Sequence, residues 1–323
     1  MIWTELHKLY FRKLDQQQAE SYAAKLYSLR LSILGKHSVS TISSAYLYAL
    51  PIRRLGTGST TARDILLATS EGTKAVFGPE SAITGMHYAH LGREMAALGE
   101  VDAIPQMLRA LDILEMHLVE ENASVFENLA DDIWNTLKSQ GKLEDSRSLC
   151  LRVSESCEQR LGSEHIITCK YLANVGFLDT SLGNSAEAET ILLRALTRLE
   201  RTVGSEHPET LRVMSNLASV YRNQSRAEDS IRLHRRVLAI RERTTGPKSW
   251  GTLLCMSNLG VSLRESGAVE EAKRVLLEAK RRLEEPDIAT VYEDVADLVT
   301  HALHGLEDET DVEARILRAE ERL

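Results

Sequence analysis

The chain has 323 residues, 43% hydrophobic and 27% charged, with a net charge of -8 and a pI near 5.8. That acidic balance excludes a nucleic-acid backbone as the principal partner, because such binding rests on a clustered excess of Lys and Arg. Aromatics at 5% argue against a β-sandwich, and four cysteines without CxxC spacing, Cys150, Cys157, Cys169 and Cys255, are expected to be reduced and buried.

The opening MIWTELHKLYFRKLDQQQ carries charges among its apolar positions and has no signal-peptide core. No later stretch approaches the roughly 20 apolar residues that span a bilayer, so a cytoplasmic protein without a membrane partner is expected. A first helix is predicted over Ile2–Leu14 and a second over Ala19–Leu34, closed by Gly35. Pro51 falls inside the first helix of an early unit and should bend it. The LGTGST run from Leu55 to Thr60 lacks the GK[ST] of a phosphate-binding loop and reads as turn chemistry.

From about residue 78 onward a period becomes legible. Asn174, Asn216 and Asn258 are separated by 42 (216-174 and 258-216), and Gly99, Gly141, Gly183, Ser225 and Gly267 repeat at the same interval. A third ladder, Ala62, Ile104, Ser146, Ala188, Ser230 and Ala272, is small in all but one case. A fourth marks the junctions at Gly78, Gly162, Gly204 and Gly246. A fixed period of this size signals a solenoid whose units bury their faces only against neighbours.

Within one unit, Leu211, Met214, Leu217, Ala218 and Tyr221 make the apolar stripe of a helix A. After the NQS turn, Ala227, Ile231, Leu233, Val237, Leu238 and Ile240 trace helix B, ended by Gly246. Ser205 or Ser249 is then placed to cap the next helix, and Pro208 suits a first turn. Asp179 stands where Tyr221 sets the pattern, and His234 where a large apolar residue is wanted. Asp294 follows Asn258 by 36 rather than 42, which shortens that unit by six.

The stretch GSEHPETLRVMSNLASVYRNQSRAEDSIRLHRRVL resembles tetratricopeptide repeats of the kinesin-light-chain type, and MSNLASVYRNQ looks like the repeat arrays of fungal immune-type receptors. The resemblance implies an all-α, right-handed α-solenoid of about eight helical hairpins. It is read as one domain over 1–323, with degenerate repeats in 1–77, recognisable ones in 78–283 and a capping hairpin in 284–323. It also implies a protein-interaction scaffold that holds a peptide or helical segment in a concave groove lined by the A helices, without cofactor or metal.

Carried over position by position, the groove candidates are Lys170, Asn174, Arg212, Ser215, Asn216, Arg222, Asn223, Asn258 and Arg264. Asn suits this use because one amide both donates to and accepts from an extended backbone. The alternative is that each Asn bonds a neighbouring helix and sets repeat spacing. The cations Lys170, Arg212, Arg222 and Arg264 would favour acidic ligand segments, unless they are simply solvated.

A second cluster lies upstream. His87, His90 and Glu94 share one helix face, Asp131 and Asp132 lie in the next unit, and steps of 42 lead from His90 to Asp132 to Asn174. An acid/base enzyme or small-molecule site would use His90 and Asp132 and needs an enclosed pocket beside them, whereas a structural hydrogen bond is the plainer reading. Finally, Arg222 to Arg282 holds 14 Lys/Arg against 7 Asp/Glu, while Leu283 to Leu323 holds 3 against 13. These are two solvated surfaces of opposite sign, or the basis of head-to-tail self-association.

Overall fold

The computed structural model describes residues 16–45, 60–285 and 292–320, with side chains over 24–45, 60–285 and 292–306. The expected helix at Ile2–Leu14, the bend at Pro51 and the Leu55–Ser59 part of the glycine turn lie outside the described residues. Among the described residues every regular element is helical.

The chain divides into two units, Met1–Leu161 and Gly162–Leu323. The first holds α1 (Gln16–Leu34), α2 (Thr60–Phe77), α3 (Ala82–Ala97), α4 (Ala103–Met116), α5 (Ala123–Ser139) and α6 (Leu143–Leu161). The second holds α7 (Ile166–Ser181), α8 (Ser185–Thr202), α9 (Pro208–Asn223), α10 (Ala227–Thr244), α11 (Trp250–Glu265), α12 (Val269–Leu283) and α13 (Glu293–Glu320). Odd-numbered helices from α3 to α11 are the A helices, and each packs on the B helix that follows it.

The turns explain why these helices pair. Gly99, Gly141, Gly183, Ser225 and Gly267 close successive hairpins in the left-handed region, with φ of 73, 70, 87, 62 and 81°. Ser225 is the one non-glycine there among the described residues, and it carries the strain that a Cβ meets in that conformation.

The junctions between hairpins are fastened by a device absent from the sequence reading. The hydroxyls of Thr84, Thr168, Thr210 and Thr252 donate to the carbonyls of Gly78, Gly162, Gly204 and Gly246 at 2.7, 2.9, 2.8 and 2.8 Å. One step of 42 from Gly78 is Glu120, and from Thr84 is Phe126. There the pattern breaks: a 3-10 turn, Glu120–Asn122, replaces the glycine, and the Asn122 carboxamide accepts from Val119 N at 2.9 Å and donates to the His117 carbonyl at 2.7 Å.

Caps follow the same economy, with one correction. Ser249 caps α11 as expected, accepting from Thr252 N at 3.3 Å. For α9 the cap is His207, whose Nδ1 accepts from Glu209 N at 3.2 Å, and not Ser205. Pro208 opens α9, where its missing N–H is not needed.

Inside each hairpin the two helices share a fixed volume. The A-helix column runs Gly92, Trp134, Gly176, Ala218, Gly260 in steps of 42, and the B-helix column facing it runs Met107, Cys150, Leu192, His234, Leu276, where Met107 stands one residue short of the step because α4 is slipped by one. Glycine meets leucine at Gly176–Leu192 and Gly260–Leu276, where an added Cβ would lie 2.7 and 2.5 Å from the leucine Cγ. Trp134 falls opposite the small Cys150 in these columns. His234, flagged as a departure, occupies the leucine column opposite Ala218 and is 0% exposed, with neither ring nitrogen hydrogen-bonded.

The far end differs from expectation. In place of a capping hairpin over 284–323, the described chain forms one helix, α13, whose Val295, Val299, Ala302, Leu303 and Leu306 close the core of α11 and α12. On α12, Lys273 and Lys280 stand where α10 has the packed Ile231 and Leu238 (231+42 and 238+42), so the last B helix turns charge to solvent.

All four cysteines are buried and none is in a disulfide, and burial pushes the Cys157 and Cys255 thiols up to about 12. No helix among the described residues is long and apolar enough to cross a membrane.

Candidate peptide-binding face

All nine groove candidates lie in the second unit, on α7, α9 and α11. These A helices are direct neighbours: α9 packs against both α7 and α11. Lys170 and Asn174, Arg212 and Asn216, and Leu254 and Asn258 are pairs four residues apart, so each pair falls on one helix face.

The three asparagines are not in the same state. Asn174 is buried, and its Oδ1 accepts from Arg212 Nη1 at 2.8 Å. The same guanidinium donates to the Lys170 carbonyl at 3.3 Å and, through Nε, to Glu209 at 2.9 Å. Asn174 and Arg212 therefore bind α7 to α9, as the spacing reading of the asparagines had it.

One step of 42 from Arg212 is Leu254, so Asn216 meets no such guanidinium. The side chains of Asn216 and Asn258 are half-buried and make no hydrogen bond among the described residues. Ser215 spends its hydroxyl on the Leu211 carbonyl at 3.0 Å. Asn223 is exposed at the end of α9.

The cations are largely occupied. Arg222 Nε lies 3.7 Å from Glu265, Lys170 Nζ lies 5.6 Å from the ring centre of Tyr171, and the Arg264 guanidinium lies against Gly305. A formal positive row in the sequence is thus partly neutralised by the protein's own carboxylates and rings.

The upstream cluster is brought together only in part. His87 is fully buried: its Nε2 donates to the Leu66 carbonyl at 2.8 Å, and the Ser70 hydroxyl lies 3.1 Å away. Burial pushes His87 down to about 4, partly opposed by the Leu66 bond, so it is neutral near pH 7. Asp132 is engaged by the guanidinium of Arg93, and His90, Glu94 and Asp131 each have an interaction of their own. A cleft of about 790 Å3 in that unit is lined by residues between Ala96 and Arg152, and neither His90 nor Asp132 lines it.

Arg93 was missed by the sequence reading, and its signal was present: a guanidinium three residues after His90 on the same helix face. The threonine staples were missed as well, although steps of 42 relate Thr168, Thr210 and Thr252.

Comparison with known proteins bears on the fold. Models of the tetratricopeptide repeat match residues 135–167 and, in two overlapping placements, 171–243 and 209–285. No curated protein matches the sequence. Among solved structures, nearly identical TPR-like repeats of a Podosopora anserina protein described as a kinesin light chain superpose with a TM-score of 0.50 at 20% identity, covering 62% of this chain and 94% of that one. An assembly chaperone of RpL4 (Acl4) gives 0.47 at 19% identity, covering 83% and 98%. BtubC (BKLC) from P. vanneervenii gives 0.42 at 15%, covering 84% and 91%. At these identities the first likeness speaks to fold alone, and the two lower scores carry no argument.

Proposed function

The chain carries tetratricopeptide repeats, and from that premise we propose that it is a protein-interaction scaffold whose second unit holds an extended segment of a partner across α9 and α11. The observation that carries this reading is the pair of half-buried carboxamides, Asn216 and Asn258, left without hydrogen bonds on neighbouring A helices. A half-buried amide that no protein group engages can pair with a peptide group that donates and accepts at once.

The spacing suits such a ligand. Packed helices lie about 8–10 Å apart, and an extended chain advances about 3.3 Å per residue, so the two amides would meet peptide groups roughly three residues apart. Arg212 and Arg222 already face Glu209 and Glu265, so acidic side chains on the ligand are a secondary preference and main-chain contacts the primary one.

The test is capture of partners from source lysate by the wild type beside Asn216→Ala/Asn258→Ala, with thermal denaturation of both. Loss of the captured partners by a folded double variant supports the reading. Recovery of the same partners by that folded variant removes it.

A further inference from the structure

In the second unit, α13 is out of step with the helices before it. Val213, Leu217 and Val220 of α9 share a core with Ala188, Leu192 and Ala195 of α8, the B helix that precedes it. On α13 the same role falls to Val295, Val299 and Ala302, which share a core with Ala272, Leu276 and Ala279 of α12. One period of 42 on from the α9 trio stand Cys255, Leu259 and Ser262 of α11, and from these to the α13 trio the step is 40 (295-255, 299-259 and 302-262). The last unit is therefore two residues short, and not the six read from Asn258 and Asp294.

The same step of 40 accounts for the absence of a turn. It carries Gly267, whose φ of 81° turns the chain from α11 into α12, to Glu307. A side chain resists the left-handed backbone that glycine adopts freely, and no glycine stands in 306–311. The helix runs straight on instead, and α13 takes 28 residues. The step also carries Ala272, Leu276, Ala279 and Leu283, the buried column of α12, to Val312, Ile316, Ala319 and Leu323, apolar at all four places. The pattern of a B helix is thus present, on a stretch that as a continuous helix cannot fold back on its own A half.

The seat for such a helix is open. On α11, Gly260 meets Leu276 of α12. The counterpart of Gly260 is Thr300, which with Leu303 and His304 lines a groove against Lys273, Leu277 and Lys280 of α12. Leu277 is 48% exposed, and both lysines are exposed beside it. Leu306 lines the same groove with Val269, the first residue of α12, so the chain from Glu307 onward runs past the end of α12.

We propose that this stretch of α13 seats in the groove of a second copy, and that copy's stretch in the first, closing a two-fold dimer by exchange of a B helix. The lengths agree: 293–306, which closes the core, and 307–320, which runs past it, are equal halves of the helix. A and B helices run antiparallel, so the two α13 helices lie antiparallel about an axis between Leu306 and Glu307, and each copy both gives and receives. Charge agrees as well, since 307–323 holds seven Asp/Glu against three Arg and would lie beside Lys273 and Lys280.

The test is light scattering on the full chain as it leaves a sizing column. The wild type is expected at twice its 36.1 kDa at about 100 µM. Val312→Asp/Ile316→Asp, placed beyond the core, should be monomeric with helical circular dichroism retained. Lys273→Glu/Lys280→Glu, on the exposed rim, should raise the dimer dissociation constant at least tenfold. A Gly-Asn-Gly linker inserted between Leu306 and Glu307 lets the stretch turn back into its own groove at a high effective concentration and should give a monomer. A monomeric wild type, or an unchanged constant for the lysine variant, overturns the proposal. So does a dimer that survives Val312→Asp/Ile316→Asp, which would place the contact on another surface, and so does one that survives the linker, which would show docking without exchange.

Discussion

Leu192 of α8 packs directly on the bare Cα of Gly176 in α7, so closely that a methyl group there would stand 2.7 Å from its Cγ. The glycine is therefore a packing residue, although it sits mid-helix, where alanine ordinarily gains about 1 kcal/mol. Leucine Cγ is too near its own backbone to swing away, and overpacking costs about 1–3 kcal/mol. Gly176→Ala should thus destabilise the protein on balance, and urea denaturation that shows stabilisation would contradict the close approach.

The acid response should be carried by two buried histidines. Burial, with Arg222 adding to it, pushes His234 down to about 4, and burial does the same to His87. A histidine whose folded pKa lies below its unfolded value contributes stability above about pH 6.5 and loses it as pH falls towards 4, on the order of 3 kcal/mol each. His234→Leu, which copies Leu192 and Leu276, should be more stable than wild type, with a shallower fall in Tm between pH 7 and pH 4.5. Parallel pH curves for the two proteins would remove His234 from the response.

Thr210 gives the clearest measure of the junction staples. Thr210→Val keeps the shape but leaves the Gly204 carbonyl without the hydroxyl that donates to it at 2.8 Å. The loss of a buried hydrogen bond predicts destabilisation of about 1–3 kcal/mol. An unchanged denaturation midpoint would mean that water replaces the hydroxyl at no cost.

Ser225 is the converse case. Its φ of 62° is the value its glycine counterparts hold freely. Ser225→Gly relieves the strain and gives back part of it through a more flexible unfolded chain, for a net gain of about 0.5–1 kcal/mol. A lower Tm for this variant would show that the serine hydroxyl outweighs the strain.

Helix placement and turns were legible because the period is written in residues with one physical role each: left-handed glycines, apolar stripes, a proline at Pro208. The state of the site was not. Whether an asparagine is spent or free depends on what stands one helix away, and Asn174 differs from Asn216 only through Arg212 and its counterpart Leu254. The one-residue slip of α4 was hidden for the same reason, since it shows only when Met107 is found against Gly92 where the period points to Leu108. His90 and Asp132 were paired by arithmetic, which fixes helix neighbours but not that Arg93 engages Asp132. At the end, a capping hairpin was expected over 284–323, whereas α13 runs as one helix over Glu293–Glu320.

The contacts between hairpins also bear on how such an array could be rebuilt. Polarity reverses along the chain: Arg63 lies against Glu100, Glu189 accepts from Arg226, and Ile231 joins an apolar cluster against which Ala268 packs. Hairpins moved out of order would set guanidinium against guanidinium, or a carboxylate against a methyl. The repeats are consequently ordered parts rather than interchangeable tiles, and each carries in its flanks the address of its neighbour.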